Sequence, residues 1–189
     1  MGQNETLSGL GSTSSYTTSI RKSLVEIIKQ KNIKNMIDTS CGEWNWQKQI
    51  KHELCDYTGI DIVKEVIDRN NTLYKNEKIK FIQHDMLSYI KTKPDLSVDL
   101  IMCRHTLEHL PRDYNLDFIK ECRRVSKYLL ITTKKFSYNK ELSADESYRP
   151  INLETEPYAS LLSKYHIMDI YDGPDSYNDL ETYIMLYKF

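Results

Sequence analysis

The chain has 189 residues, 40% of them hydrophobic and 28% charged, the balance of one globular domain with a substantial buried core. Lys and Arg number 26 against 27 Asp and Glu, so there is no basic excess to hold a phosphate backbone, and nucleic acid is not an expected partner. No apolar run is long enough to span a bilayer, and Met1 to Leu10 lacks an apolar signal core.

The four cysteines, Cys41, Cys55, Cys103 and Cys122, sit at neither metal-knuckle nor redox spacing. They read as reduced, mostly buried thiols of a cytoplasmic protein. The start Met1-Gly2-Gln3-Asn4-Glu5-Thr6 fits the loose myristoylation pattern, and Asn4 and Asn70 head glycosylation sequons. Patterns this short arise by chance, and reduced thiols argue against secretion.

Residues 1–17, rich in Gly, Ser and Thr, read as a flexible arm or a ligand-covering lid, and 18–189 as a single domain. Ile20, Leu24, Ile27 and Ile28 recur three or four apart and predict an amphipathic helix over Thr18 to Gln30. A buried strand over Asn35 to Asp38 then ends in the turn Thr39-Ser40-Cys41-Gly42, and Glu43 to Glu53 is expected to be helical. The pattern repeats: a strand over Tyr57 to Ile60, a helix over Val63 to Tyr74, and strands over Ile79 to Gln83 and Val98 to Cys103. A helix over Asp113 to Val125 and a strand over Tyr128 to Thr132 complete it. Strands alternating with helices imply crossovers and a parallel sheet covered on both faces. After a polar stretch, Tyr165 to Tyr171 and Glu181 to Phe189 read as two strands with no helix between, an antiparallel hairpin at the sheet edge. The expected fold is α/β: a doubly wound, Rossmann-like, seven-stranded, mostly parallel sheet with a C-terminal antiparallel hairpin.

In such sheets ligands bind outside the carboxyl ends of the strands, where strand order reverses. The residues placed there are Asp38 to Gly42, Asp61 with Ile62, Asp85 with Met86, and Cys103-Arg104-His105. Asp38, Asp61 and Asp85 follow one another at intervals of about one helix plus one strand. A carboxylate after the second strand can accept both hydroxyls of a ribose; one after the third can accept from an adenine amino group, with Met86 over the ring. Each of these aspartates is also a residue type that caps a following helix or fills a turn, and position alone admits either role. Gly42 lets the backbone approach a ligand. Ser40-Cys41-Gly42-Glu43 keeps one glycine where dinucleotide binders show three, and places a carboxylate where a pyrophosphate would lie. That favours a cofactor without phosphates over NAD or FAD.

Ile37-Asp38-Thr39-Ser40-Cys41-Gly42, Gly59-Ile60-Asp61, His84-Asp85-Met86 and the run from Asp99 to Leu110 together resemble the class I S-adenosylmethionine-dependent methyltransferases. The chain looks closest to a bacterial and viral subgroup with a glycine-serine lead, an arginine on the first helix, "D-x-x-C-G-x-x-N-W" and a later "R-P-x-N-L". These stand here as Gly11-Ser12, Arg21, Asp38 to Trp46, and Arg149-Pro150-Ile151-Asn152-Leu153. The resemblance implies S-adenosylmethionine as cofactor, with Asp38, Ser40 and Gly42 under its methionine part, Asp61 and Ile62 at the ribose, and Asp85 and Met86 at the adenine. It also implies Cys103 and Arg104 near the sulfonium, and Gly11, Ser12 and Arg21 toward the carboxylate.

An alcohol acceptor must lose its proton during attack, and histidine is the commonest residue for that task. His105 and His109, after the fourth strand, are the candidate general bases. Arg104-His105-Thr106-Leu107 stands where base-amino methylases carry an Asn-Pro-Pro-Tyr type motif, and no metal-ligand cluster is evident, so no metal is expected. The subgroup often accompanies sugar and surface-polysaccharide assembly, which implies O-methylation of a sugar hydroxyl in a glycan or nucleotide sugar. Tyr138, Asp145 and Arg149 are the candidate acceptor-binding residues. A small non-sugar metabolite or protein acceptor, and a non-catalytic binding module, are the alternatives.

Overall fold

The computed structural model describes residues 5–140, 146–174 and 180–189. Seven strands form one sheet: β1 (Asn35–Asp38), β2 (Asp56–Asp61), β3 (Ile79–Gln83), β4 (Val98–Cys103), β5 (Ser126–Lys134), β6 (His166–Pro174) and β7 (Glu181–Lys188). The helices are α1 (Thr18–Gln30), α2 (Lys64–Tyr74), α3 (Met86–Lys91), α4 (Arg112–Val125) and α5 (Ala159–Leu162). The strand order is β3-β2-β1-β4-β5-β7-β6. The first five strands run parallel, and β7 lies antiparallel between β5 and β6. The expected hairpin thus closes the edge, with its second strand inserted inside its first.

The sheet has a core on each face because successive strand residues point to opposite sides. Met36, Leu100, Met102 and Leu130 pack with Ile20, Leu24, Ile27 and Ile28 of α1. Ile37, Ile101, Cys103, Leu129 and Ile131 pack with Phe118, Ile119, Cys122 and Val125 of α4. All six residues of β4 are buried, as expected of a central strand covered twice. Each fully buried Leu or Ile contributes roughly 1.5–3 kcal/mol. Asp99, the polar interruption of β4, lies at the end away from the site. Its carboxylate accepts from the Lys34 amide at 2.7 Å and from Lys127 Nζ at 2.6 Å, tying β1 to β4 to β5.

One predicted helix is absent. Residues 43–53 form turns and a short 3-10 segment, Gln47–Ile50. Trp44 takes a left-handed φ of 56° that breaks the helix, and its ring is fully buried among Tyr57, Tyr74 and Phe81. Gln47 is pinned to Asp38 and to the Cys41 carbonyl. Tertiary packing overrides the local helical pattern here. Conversely, the sequence reading did not include α3, whose capping residue is Asp85: its Oδ1 accepts from the Ser88 amide at 2.8 Å.

Strand order reverses between β1 and β4, so their carboxyl ends open the crevice that a doubly wound sheet offers a ligand. The β1 turn is held there by the Thr39 amide on Met102 O (2.9 Å) and the Cys41 amide on Ile60 O (3.0 Å).

Candidate active site

Three adjoining cavities surround these strand ends. The β1 lobe, about 170 Å³, is lined by Asp38, Ser40 to Gln47, Asp61 and Arg104 to Thr106. The β3 lobe, about 180 Å³, is lined by Ile62, Asp85, Met86 and Tyr114, and shares Ser40, Asp61 and Thr106 with the first. The β6 lobe, about 110 Å³, is lined by Gly11, Tyr16, His109, Tyr148, Asp172 and Thr182, and shares Ser8, Ser12, Arg104 and His105 with the β1 lobe.

Asp61 stands where the first two lobes meet. Its Oδ2 accepts from the Gly42 amide at 3.1 Å and its Oδ1 from the Val63 amide at 3.0 Å. Each oxygen keeps a second lone pair for another donor. Gly42 has a φ of 52°, and a Cβ there would stand 2.8 Å from Ser8 Oγ. The left-handed φ favours glycine here, and a side chain would also press on the Ser8 hydroxyl of the N-terminal segment.

That segment is fastened over the lobes. Glu43 accepts from Thr6 Oγ1 (2.8 Å), the Leu7 amide (2.5 Å) and Arg69 Nη1 (2.7 Å). Burial opposes its ionisation, but these donors hold its carboxyl below the usual range. Asn45 Nδ2 donates to Glu5 Oε1 at 2.8 Å and to Ser12 O at 3.1 Å. Arg104 Nη1 donates to Gly11 O at 2.7 Å.

The remaining predicted residues fall into distinct places. Asp38 lines the β1 lobe, yet it is buried and its Oδ2 already accepts from Tyr57 OH (2.7 Å) and Gln47 Nε2 (2.9 Å). Burial pushes its carboxyl up, against these two donors. Ser40 Oγ accepts from Thr106 Oγ1 at 2.5 Å, linking the β1 and β4 turns. Asp85 caps α3 and accepts from Tyr114 OH at 2.6 Å, still facing the β3 lobe beside Met86. The Cys103 side chain belongs to the core, where burial pushes its thiol up to about 12. Arg21 does not line any of the three lobes; it donates to Ser14 O at 2.8 Å and to Thr17 Oγ1 at 2.6 Å. Tyr138 and Arg149 line a neighbouring cleft of about 300 Å³ that meets the β6 lobe at Tyr148. Arg149 is buried and donates to Leu110 O at 2.7 Å. Asp145 lies outside the described residues.

The two histidines differ in their surroundings. His105 has a φ of 53°. Its ring lies between two buried carboxylates, Nε2 at 3.2 Å from Asp172 and Nδ1 at 3.5 Å from Glu108. His109 is exposed and its Nδ1 lies 2.6 Å from Ser147 O.

Sequence reasoning missed Glu108, Lys134 and Asp172. Arg104 Nε meets Asp172 Oδ2 at 2.9 Å, and Lys134 Nζ stands 3.7 Å from Glu108 Oε1, all four side chains being almost inaccessible. Burial would raise the Glu108 carboxyl, but His105 and Lys134 hold it at about 2. A single clue was available: Lys134 ends a strand whose centre, Leu129-Leu130-Ile131, is apolar, and a lysine buried there needs a carboxylate.

Residues 37–128 match the family described as a methyltransferase domain. No curated protein matches the chain in sequence. Among solved structures, the chain is similar to the methyltransferase domain of bacterial CtHen1-CN, with a TM-score of 0.64 and 18% identity, covering 92% of this chain and 100% of that one. It is similar to magnesium protoporphyrin IX methyltransferase (ChlM) from Synechocystis PCC 6803 with bound SAM, at TM-score 0.64 and 13% identity, covering 92% and 80%. N-methyltransferase NodS from Bradyrhizobium japonicum WM9 gives TM-score 0.64 and 12% identity, covering 92% and 96%. At these identities the likeness is one of fold.

The residues present suit S-adenosylmethionine. The β1 and β3 lobes adjoin at Ser40, Asp61 and Thr106, as separate seats for a methionine tail and an adenine joined through a ribose require. Gln47 Oε1 in the β1 lobe is buried without a hydrogen-bond partner, an acceptor suited to an ammonium. Among the described residues no group of three or more His, Cys, Asp or Glu is placed to hold a metal ion, and no helix is long and apolar enough to cross a membrane. The match of residues 37–128 to a methyltransferase domain and the fold shared with methyltransferases of known structure agree with a strand-end site whose residues suit S-adenosylmethionine.

Proposed function

We propose that the protein is an O-methyltransferase that modifies a sugar hydroxyl in a glycan or nucleotide sugar, with His109 as general base. The observation that carries this reading is the 2.6 Å contact between His109 Nδ1 and Ser147 O. A carbonyl oxygen only accepts, so Nδ1 bears the hydrogen, and in the neutral ring Nε2 keeps its lone pair. The ring of Tyr148, 5.5 Å away, packs against it from one side. His105 offers no such nitrogen, since both of its own face carboxylates.

When bound, the cofactor supplies an electrophilic methyl group on a sulfonium. The β6 lobe adjoins the β1 lobe at Arg104 and His105, so an acceptor held there would adjoin the end of the cofactor held by the β1 lobe. His109 Nε2 would take the proton of the hydroxyl to which the cofactor would supply its methyl group. Asp61, Ile62, Asp85 and Met86 would hold the adenosyl part, and Ser40, Gly42 and Arg104 the methionine part. Tyr138 and Arg149 would line the approach for the rest of the acceptor.

The test offers the protein methyl-labelled S-adenosylmethionine with glycosides, nucleotide sugars, hydroxylated non-sugar metabolites and peptides. Label in a base-stable ether on a sugar is the expected result. Label confined to peptides or non-sugar metabolites overturns it. So does the absence of turnover with every acceptor while S-adenosylhomocysteine raises the melting temperature, which is the behaviour of a binding module.

A further inference from the structure

We propose that Glu108 and Asp172 are the acceptor-reading groups of the β6 lobe, accepting hydrogen bonds from hydroxyls of a neutral polyol other than the hydroxyl that is methylated. This deepens the sugar reading above and rests on it for the identity of the lobe.

Both residues line the lobe. Their side chains are 3% and 0% exposed. Glu108 Oε1 and Asp172 Oδ1 nevertheless have no hydrogen-bond partner. The nearest cations leave Glu108 Oε1 unsatisfied, with His105 Nδ1 at 3.5 Å and Lys134 Nζ at 3.7 Å. On Asp172, Arg104 and His105 all converge on Oδ2, and Oδ1 is left over. A buried carboxylate oxygen without a donor is rare in folded proteins, and a ligand donor is one explanation that also fits the adjoining space.

Charge selects the kind of donor. Asp172 is paired with Arg104, and Glu108 lies beside Lys134, whose ammonium also donates to Thr182 Oγ1 at 3.2 Å. The charges of these four side chains cancel. A phosphate would have to face two carboxylates. An ammonium would find anions that already have counter-cations. A hydroxyl needs only a lone pair, and ionised carboxylates supply that and donate nothing. The space, about 110 Å³, holds several waters and so suits one ring rather than a polymer.

The experiment is calorimetric titration of the protein, saturated with S-adenosylhomocysteine, with four probes: a methyl hexopyranoside, its monodeoxy analogues, a hexose phosphate and a hexosamine. The neutral glycoside is expected to bind, and at least one deoxy analogue to bind ten-fold or more weakly. In Glu108→Gln that deoxy penalty should shrink several-fold while affinity for S-adenosylhomocysteine stays the same. If the variant fails to fold, the deoxy series on the wild-type protein still decides. Equal binding of every deoxy analogue, tighter binding of the phosphate or the amine, or no glycoside binding at all overturns the proposal. A glycoside that binds in this way but never gains a methyl group refutes O-methylation and leaves the carboxylate pair standing. Methylation of a sugar whose deoxy analogues serve equally well retires the carboxylate pair alone.

Discussion

Arg104 and Asp172 meet inside the protein, with Nε 2.9 Å and Nη2 2.7 Å from the same carboxylate oxygen and side chains 6% and 0% exposed. The pair joins the end of β4 to β6 on the closing hairpin. Removing one partner of such a pair strands a buried charge. Asp172→Ala is expected to cost about 3–5 kcal/mol in urea unfolding. Arg104→Met in the same chain should recover a large part of that. A double variant no more stable than Asp172→Ala would show that the pair is not what holds the hairpin.

Gly42 faces Ser8 across the β1 turn with a left-handed φ of 52°. Gly42→Ala therefore incurs backbone strain of roughly 1–2 kcal/mol and a clash with the crossing segment. Titration with S-adenosylhomocysteine should show affinity falling about ten-fold or more. Adding Ser8→Gly removes the clash but not the strain, so recovery should be partial. Full recovery would locate the whole effect in the clash.

Asp61 accepts two backbone amide bonds at the junction of the two lobes. Asn presents one acceptor atom where Asp presents two, so Asp61→Asn must lose one of these bonds or turn an amide against a donor. Affinity for S-adenosylhomocysteine is expected to fall about ten- to a hundred-fold, the worth of one or two charge-assisted bonds. Unchanged affinity would remove Asp61 from the cofactor site.

Of the two histidines lining the β6 lobe, His109 has its Nδ1 against a backbone carbonyl and His105 has both ring nitrogens against carboxylates. With a hydroxyl acceptor, His109→Ala should lower kcat by about 10²–10⁴ while leaving affinity for S-adenosylhomocysteine intact. The kcat–pH profile of the wild type should lose its low-pH limb in the variant. A variant with full kcat would exclude His109 as the base.

Glu108 is held at about 2 in the folded protein against an ordinary 4.5, despite burial. As pH falls, the unfolded chain takes up this proton first. The stabilisation is therefore complete above about pH 4.5 and is lost progressively toward pH 2, by up to about 3 kcal/mol in all. Urea unfolding at pH 5.5 and 3.5 should show the loss, and Glu108→Gln should flatten it. A variant whose stability falls as steeply as the wild type would assign the acid sensitivity to other carboxylates.

The parallel strands, the late hairpin and the strand-end aspartates were legible because their signals are local. A continuous apolar run such as Val98 to Cys103 has to be covered twice, and the three-and-four spacing of Ile20, Leu24, Ile27 and Ile28 has to form one buried stripe. What the neighbours of each strand end do to it was not legible. Asp38 spends one carboxylate oxygen on Tyr57 and Gln47, Asp85 caps a helix, and Arg21 folds back on its own first turn.

The sequence by itself determined the layered architecture and the end of the sheet at which the strand-end crevice opens, because hydrophobic period and chain order dictate which face is buried and where the strands stop. Tertiary structure alone decided which side chains meet there. Lys134 and Asp172 come from β5 and β6 to meet Glu108 and Arg104 beyond β4, and Ser147 comes from a distant loop to engage one nitrogen of His109. Those contacts join residues tens of positions apart, and no local pattern encodes a pairing that exists only once the sheet has closed.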